Sequence, residues 1–346
     1  MSTRKIILYT PWMDQGLSYD AKAVYDIANN FEFDIYISYR TKRKVKWDCK
    51  FVPEKELVTF LNNNDLLFCF EVFPKKQIEA VSKLDIKIFL MINFEYYNIK
   101  FIRYYKLFNL IFLKSKEAYN ICKDDGLDNI DYIQWILSDF EVCQPSFIDK
   151  SKKIKVLFNG GTGGYLDRRN LESIIKLIQN YKDDDVEFTI KMAKKIRRWS
   201  NKILNKNLYK LNSDTRVKII VDDFDRNKYK NFIKSFDINL APSKFEGYGL
   251  TLLESMYVRV PTITLDAAPM NEIILNQKSG ICMPCDIVGM LNKQPIYQVD
   301  DLVFLKNFKL LVKNHNKLNE MKKNTSLNIN SMITKFSNKI EDLINE

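Results

Sequence analysis

The chain has 346 residues, 46% of them apolar and 13% aromatic, and carries a formal net charge of +11. That length exceeds one ordinary domain, and the apolar content fills two packed cores, which excludes a mainly disordered chain. The positive charge invites nucleic acid, but Lys and Asn are spread throughout, as in "NKILNKNLYK" and "KNHNKLNEMKKN", and no zinc-finger, homeodomain or RNA-recognition signature is present; no nucleic-acid partner is expected.

In chain order, Ile6–Thr10 reads as a strand with no apolar h-region before it, so no signal peptide is expected. Tyr19–Asn30 follows as a helix with Ala21, Val24, Ile27 and Ala28 on one face. Apolar runs recur at Ile35–Tyr39, Leu66–Phe73, Ile86–Asn93 and Leu110–Leu113. They are too short to cross a bilayer, and near-continuous apolar strands separated by helices imply a parallel sheet covered on both faces. The aromatic, basic run "KFIRYYKLF" at 100–108 reads as a helix packing under that sheet, with peripheral membrane contact as the alternative. The expected location is cytoplasmic, at the membrane surface in that alternative.

Apolar periodicity lapses over Gln144–Lys153 and then restarts. Ile154–Phe158 is a strand, "NGGTGG" a turn and Asn170–Tyr181 a helix. Strands at Glu187–Met192, Val217–Val221, Ile238–Ala241 and Pro261–Leu265 alternate with helices at Lys228–Ser235 and Leu250–Tyr257. Lys194–Thr215 contains helix without a clear order, and helical periodicity runs from Asp301 to the end. These patterns predict two doubly wound α/β domains, 1–148 and 149–325, with a C-terminal helix in 326–346 packing back on the first. Cys282 and Cys285 form a lone CxxC beside a single histidine, His315. A zinc site needs about four ligands, so these read as reduced structural cysteines.

Open α/β sheets bind ligands at the carboxyl ends of their strands. Three strand ends here are glycine turns that open a helix: "TPWMDQGLSYD" with Gly16, "GGTGGYLDRRN" with Gly161, Arg168 and Arg169, and "KFEGYGL" with Gly247 and Gly249. Helix-start N–H groups approached closely through glycine form anion sites, and two of them on one domain beside two arginines suggest a diphosphate.

The string "PSKFEGYGLTLLESM" followed by "VPTITLDAAPMNEII" resembles the donor-binding signature of family 4 retaining glycosyltransferases, whose GT-B fold has two Rossmann-like domains facing a cleft; the resemblance implies that 1–148 binds the acceptor and 149–325 the nucleotide-sugar. Its E-x7-E element is Glu246 to Glu254. The resemblance implies Glu246 against the donor sugar, Glu254 accepting from ribose hydroxyls, and the amides of Tyr248, Gly249 and Leu250 toward the diphosphate or sugar. A helix from Gly249 carries Glu254 about 7 Å along its axis, a plausible span between the two ends of a folded donor. It further implies that Arg169, with Arg168 beside it, steadies the departing diphosphate. The cation that the family pattern places on the glycine loop, where glycine or Thr162 stands here, is missing or comes from elsewhere, with Lys191 and Lys194 as the candidates. "VKIIVDDFD" matches the segment flanking the nucleobase, which makes Val221, Asp222 and Asp223 base-site candidates. The histidine that many relatives place near the donor sugar is absent, and Asn93 or Glu95 in "MINFEYY" stands at the matching strand end.

No Asp-x-Asp clamp is present at the expected donor position, so no metal is expected, nor any cofactor, the nucleotide-sugar being a substrate. The expected activity is hexosyl transfer with retention to a glycan, lipid-linked or other hydroxyl acceptor, in glycan or glycoconjugate synthesis. Nucleotide-sugar epimerase, phosphorylase and non-catalytic sugar-binding protein are the alternatives.

Overall fold

The computed structural model describes residues 4–13, 16–40 and 46–345. The chain divides into two compact units, the first made of Met1–Asp139 with Asn330–Glu346 and the second of Phe140–Ile329. Each is built on a parallel sheet, as the unbroken apolar runs require.

In the first unit, β1 (Lys5–Tyr9), β2 (Asp34–Tyr39), β3 (Lys50–Pro53), β4 (Leu66–Phe70), β5 (Lys87–Ile92), β6 (Leu110–Leu113) and β7 (Ile130–Tyr132) lie in the order β3-β2-β1-β4-β5-β6-β7. Connections include α1 (Gly16–Ala28), α2 (Leu57–Phe60), α3 (Lys75–Val81), α4 (Ile102–Tyr105) and α5 (Lys116–Asp124). All five residues of β4 are buried. That strand stops at Phe70 rather than Phe73 because Glu71 turns into the left-handed region, at φ 62°. From the run at 100–108, Tyr105 and Phe108 pack into the core, their rings 6.1 and 5.2 Å from that of Phe73.

In the second unit, β8 (Ile154–Gly161), β9 (Val186–Met192), β10 (Val217–Val221), β11 (Ile238–Ala241), β12 (Thr262–Leu265) and β13 (Gly280–Met283) take the order β10-β9-β8-β11-β12-β13, and β14 (Asp286–Leu291) with β15 (Gln294–Gln298) forms an antiparallel hairpin. Helices are α6 (Leu171–Asn180), α7 (Arg198–Asn212), α8 (Arg226–Lys234), α9 (Leu250–Tyr257), α10 (Met270–Ile273), α11 (Asp301–Val312) and α12 (His315–Asn324). The last helix, α13 (Ile329–Asn345), falls almost wholly within the first unit's residues, where Phe336 is fully buried 4.7 Å from the ring of Trp135.

Two local expectations need correction. Asn159–Gly161 continue β8 instead of turning, because the strand keeps pairing with β9 across a bulge. The chain also enters the second unit at Phe140, upstream of residue 149: Phe140 packs on Tyr257, and the Cys143 amide donates to the Tyr257 carbonyl at 2.8 Å.

In both sheets the chain leaves a central strand to one side and returns on the other. The reversal lies between β1 and β4 in the first unit and between β8 and β11 in the second, and such a reversal is where an open α/β sheet forms its ligand crevice. No helix among the described residues is long and apolar enough to cross a membrane.

Candidate functional site

The loops after β8 and β11 meet at the second sheet's reversal point. The first of them is held in unusual backbone conformations. Gly161, Gly163 and Gly164 have positive φ, and so do Leu166, Asp167 and Asn170. Glycine is obligatory at 163, where a Cβ would lie 2.0 Å from the Ser200 hydroxyl oxygen. That hydroxyl donates to Asp167 Oδ1 at 2.8 Å, and Asp167 Oδ2 accepts from the Glu172 amide at 3.2 Å. Burial pushes the Asp167 carboxyl up, against the pull of these bonds. A left-handed non-glycine residue is uncommon, and three within five positions require this bracing. By contrast, a Cβ at Gly161 would meet nothing within 4 Å.

The braced loop delivers two arginines to one carboxylate. Arg169 Nη1 is hydrogen-bonded to Glu246 Oε1, and Arg168 Nη1 lies 3.7 Å from Glu246 Oε2. The two loops are also tied by the Lys244 amide, which donates to the Arg168 carbonyl at 2.8 Å, and by Asn170 Nδ2 donating to the Pro242 carbonyl at 3.1 Å. Glu246 is only 4% exposed. Burial pushes its carboxyl up, but the guanidiniums of Arg169 and Arg168, with hydrogen bonds from Ser243 and Arg169, outweigh that and hold it below its ordinary value. Gly247 and the buried Tyr248 follow, and Gly249, at φ 100°, turns the chain into α9 at Leu250.

Just over one turn into α9, Glu254 is 5% exposed and accepts from two side chains. Arg226 Nη1 donates to its Oε1 at 2.6 Å, and the Tyr229 hydroxyl donates to its Oε2 at 2.7 Å. Asn159 Nδ2 donates to that same hydroxyl at 2.7 Å, which links the end of β8 to α8 and α9. Arg226 also lies 4.5 Å over the Phe140 ring. Burial, with Glu254 adding to it, pushes the Tyr229 hydroxyl well above its ordinary value. A carboxylate offers about four acceptor positions, so Glu254 keeps capacity beyond these two donors.

Lys191 pairs in register with Asn159 and Ile220 and is 7% exposed. Among the described residues its ammonium has no hydrogen-bond or ion-pair partner; the Phe224 ring lies 5.2 Å away. Burial pulls its pKa down, against the pull of Asp223, Asp222 and Glu254. Val221 is about half exposed at the end of β10, while Asp222 lies 3.1 Å from Lys194 and 3.7 Å from Lys228. The acidic run at 183–185 is engaged elsewhere, Asp183 and Asp185 by Lys313 and Asp184 by Lys153.

Glu246, Arg168, Arg169 and the glycine turn thus come together, with Glu254 placed on the helix that the turn opens. The remaining candidates lie in the first unit. Gly16 is the first residue of α1, with residues 14 and 15 of its loop outside the described residues. Asn93 follows β5 and is held by Glu71 and Lys114; Glu95 lies in the 3₁₀ turn Phe94–Tyr96. Sequence reasoning did not find Asp167, Ser200, Arg226 or Tyr229. The N-cap Asp225, whose side chain accepts from the Lys228 amide, was the available signal for a helix beginning at Arg226.

Residues 163–294 match the family model described as glycosyl transferases group 1. That match supports a glycosyltransferase. No curated protein matches in sequence. Among solved structures, HepE of Anabaena in complex with UDP and glucose superposes with a TM-score of 0.74 at 11% identity, covering 99% of this chain and 100% of that one. A glycosyltransferase from Rickettsia africae gives 0.72 at 12% identity, with 99% of each chain covered. The lipopolysaccharide outer core galactosyltransferase WaaB gives 0.64 at 14%, with 96% and 99% covered. At these identities the likeness shows the fold, which is GT-B.

Proposed function

We propose that the protein is a family 4-type retaining glycosyltransferase that moves a hexosyl group from a nucleotide-sugar to a hydroxyl acceptor in the cytoplasm, without a metal. The observation that carries this reading is the buried Glu246 carboxylate held by Arg168 and Arg169 at the β8/β11 reversal, on the turn that opens the helix bearing Glu254. In this reading the E-x7-E pair spans the donor, Glu246 facing the sugar and Glu254 accepting from ribose hydroxyls. Arg169 is then shared between Glu246 and the diphosphate, and the open face at Gly161 and the amides at Tyr248–Leu250 admit phosphate oxygens closely. Lys191 supplies the second cation. That HepE was solved with UDP-glucose supports a UDP-linked donor.

The bond from the anomeric carbon to the β-phosphate oxygen breaks as the acceptor oxygen bonds to that carbon on the same face. The acceptor's proton passes to the departing phosphate oxygen. Negative charge grows on the diphosphate as this happens, which is where preorganised guanidinium groups lower a barrier most. The test is NMR of the product formed from UDP-glucose in excess EDTA after dialysis. Transfer with retained configuration is expected, with turnover about 100-fold lower in Arg169→Ala and lower again in the Arg168→Ala/Arg169→Ala double variant. Inversion, dependence on added Mg²⁺ or Mn²⁺, or a double variant with wild-type turnover contradicts the corresponding part. Conversion of the donor sugar to its epimer without acceptor identifies an epimerase.

A further inference from the structure

The basic, aromatic run at 100–108 turns Tyr105 and Phe108 into the core, but a second such stretch, at 194–210, keeps its rings outside. Its helix, α7, has 15 residues and no acidic one among them. Ser200, Leu204 and Leu211 are buried and fix the inward side. At about 100° per residue, Arg198, Trp199, Lys202, Lys206, Tyr209 and Lys210 then share an arc of about 120° on the other side. Trp199 is 55% exposed and Tyr209 86%.

A row of exposed lysines is ordinarily a solvated face, and this chain has many. Elsewhere, however, such cations find partners within the fold: Lys176 lies 3.0 Å from Asp301, Lys322 2.8 Å from Asp237 and Lys339 2.7 Å from Asp131. Among the described residues, none of Arg198, Lys202, Lys206 and Lys210 is in an ion pair. At the C-terminal end of α7 the same face runs into a polar cavity of about 430 Å³, lined by Gln179, Lys182, Lys210, Ser213, Asp214 and Arg216 among others. Three cations there stand against one carboxylate, and Asp214 is already held by Arg216, whose Nε and Nη2 donate to it at 2.9 and 2.6 Å. The Gln179 Nε2 amide is buried in this wall with no hydrogen-bond partner among the described residues, a cost that an incoming acceptor removes.

Lysines interleaved with exposed Trp and Tyr rings fit a lipid–water interface, where the rings sit at headgroup level and ammonium groups meet phosphates. A convex helix face with a ring near each end also suits a flat surface better than a strand that needs a groove to track. We propose that the outward face of α7 docks the protein on a bilayer surface rich in anionic phospholipid, with Trp199 and Tyr209 at headgroup level, Lys202, Lys206 and Lys210 against lipid phosphates, and one phosphate entering the cavity beside Lys182 and Gln179. Charge complementarity carries this choice of partner, and the chain's net charge of +11 acts in the same direction. The inward side of the same helix carries Ser200, whose hydroxyl braces Asp167, so the docking face and the loop after β8 are two sides of one helix.

The test is co-sedimentation of the full chain with sucrose-loaded vesicles of phosphatidylcholine, alone or with about 30% phosphatidylglycerol. Binding to the anionic vesicles, little binding to the neutral ones and release by NaCl are expected. Each phosphate-facing lysine is worth about fivefold, so Lys182→Ala is expected to bind about fivefold more weakly and Lys202→Ala/Lys206→Ala/Lys210→Ala about 100-fold. Trp199→Ala/Tyr209→Ala is expected to lose about tenfold while keeping the salt dependence. Lys306→Ala/Lys309→Ala, which removes two exposed lysines from α11, is expected to bind as the wild type does. All of these side chains are exposed, and melting curves followed by circular dichroism check that each variant keeps the fold. No binding to anionic vesicles, equal binding to neutral ones, unchanged binding in the α7 variants, or an equal loss per lysine in α11 overturns the proposal. So does tighter binding to a short double-stranded DNA than to the vesicles, which would assign the face to nucleic acid.

Discussion

Glu246 stays ionised because two guanidinium groups offset the cost of burying it, and that balance predicts a pH signature. Its carboxyl is held below the ordinary value of 4.5, so its contribution to stability is complete above that value and is lost as pH falls through the lower folded value. Thermal unfolding of Glu246→Gln is therefore expected to lag the wild type by about 1–3 kcal/mol at neutral pH, with the gap closing below pH 4.5. A gap independent of pH would show that the charge is not what matters. Lys191 presents the opposite case, a largely buried side chain whose ammonium has no hydrogen-bond or ion-pair partner among the described residues. Replacing it with Met is expected to stabilise the unliganded protein by about 1 kcal/mol while weakening UDP binding about tenfold. Loss of both stability and binding in Lys191→Met would instead make it an ordinary structural residue. Glu246, Glu254 and the arginines were legible because glycine turns and charges cluster within short strings. Arg226, Tyr229 and Ser200 were not, because they reach the site from Lys- and Asn-rich helices whose local pattern differs little from the rest of the surface.

At the scale of elements, the glycines of the loop after β8 have different tasks. Gly163→Ala would drive a methyl into Ser200 and release Asp167, whereas Gly161→Ala faces open space and carries only the strain of its φ of 52°. Urea unfolding is expected to show a loss of about 3 kcal/mol or more for Gly163→Ala and about 1 kcal/mol for Gly161→Ala. Equal losses would mean that the contact with α7 does not brace the loop. The strands β1, β4, β5, β8 and β11 were readable because most of their positions are buried and apolar. The four-residue β3, the three-residue β7 and the β14–β15 hairpin were not. β3 and β7 are too short to carry a pattern of their own, and β14 is largely exposed, which removes the apolar signal.

For the molecule as a whole, the last helix matters to the unit that begins the chain. Phe336, Ile340 and Ile344 are fully buried, and Phe336 sits edge-on to Trp135. Phe336→Ala is expected to destabilise the protein by about 3–5 kcal/mol although it is far along the chain from the Glu246 site. A change below about 1 kcal/mol in denaturant unfolding would argue that this helix is peripheral. Two parallel sheets were visible in the alternation of apolar runs and helices, but the chain's passage at Phe140 was not, because its anchors on Tyr257 are tertiary. The central claim is that the reversal point of the second sheet is a nucleotide-sugar site organised by Glu254 and the arginine pair. Calorimetric titration of UDP into the wild type, Glu254→Gln and Arg169→Ala tests it most directly. Saturable binding by the wild type, weakened about 10- to 150-fold in each variant, is the predicted result; no UDP binding by the wild type, or equal affinity in all three, would contradict the account.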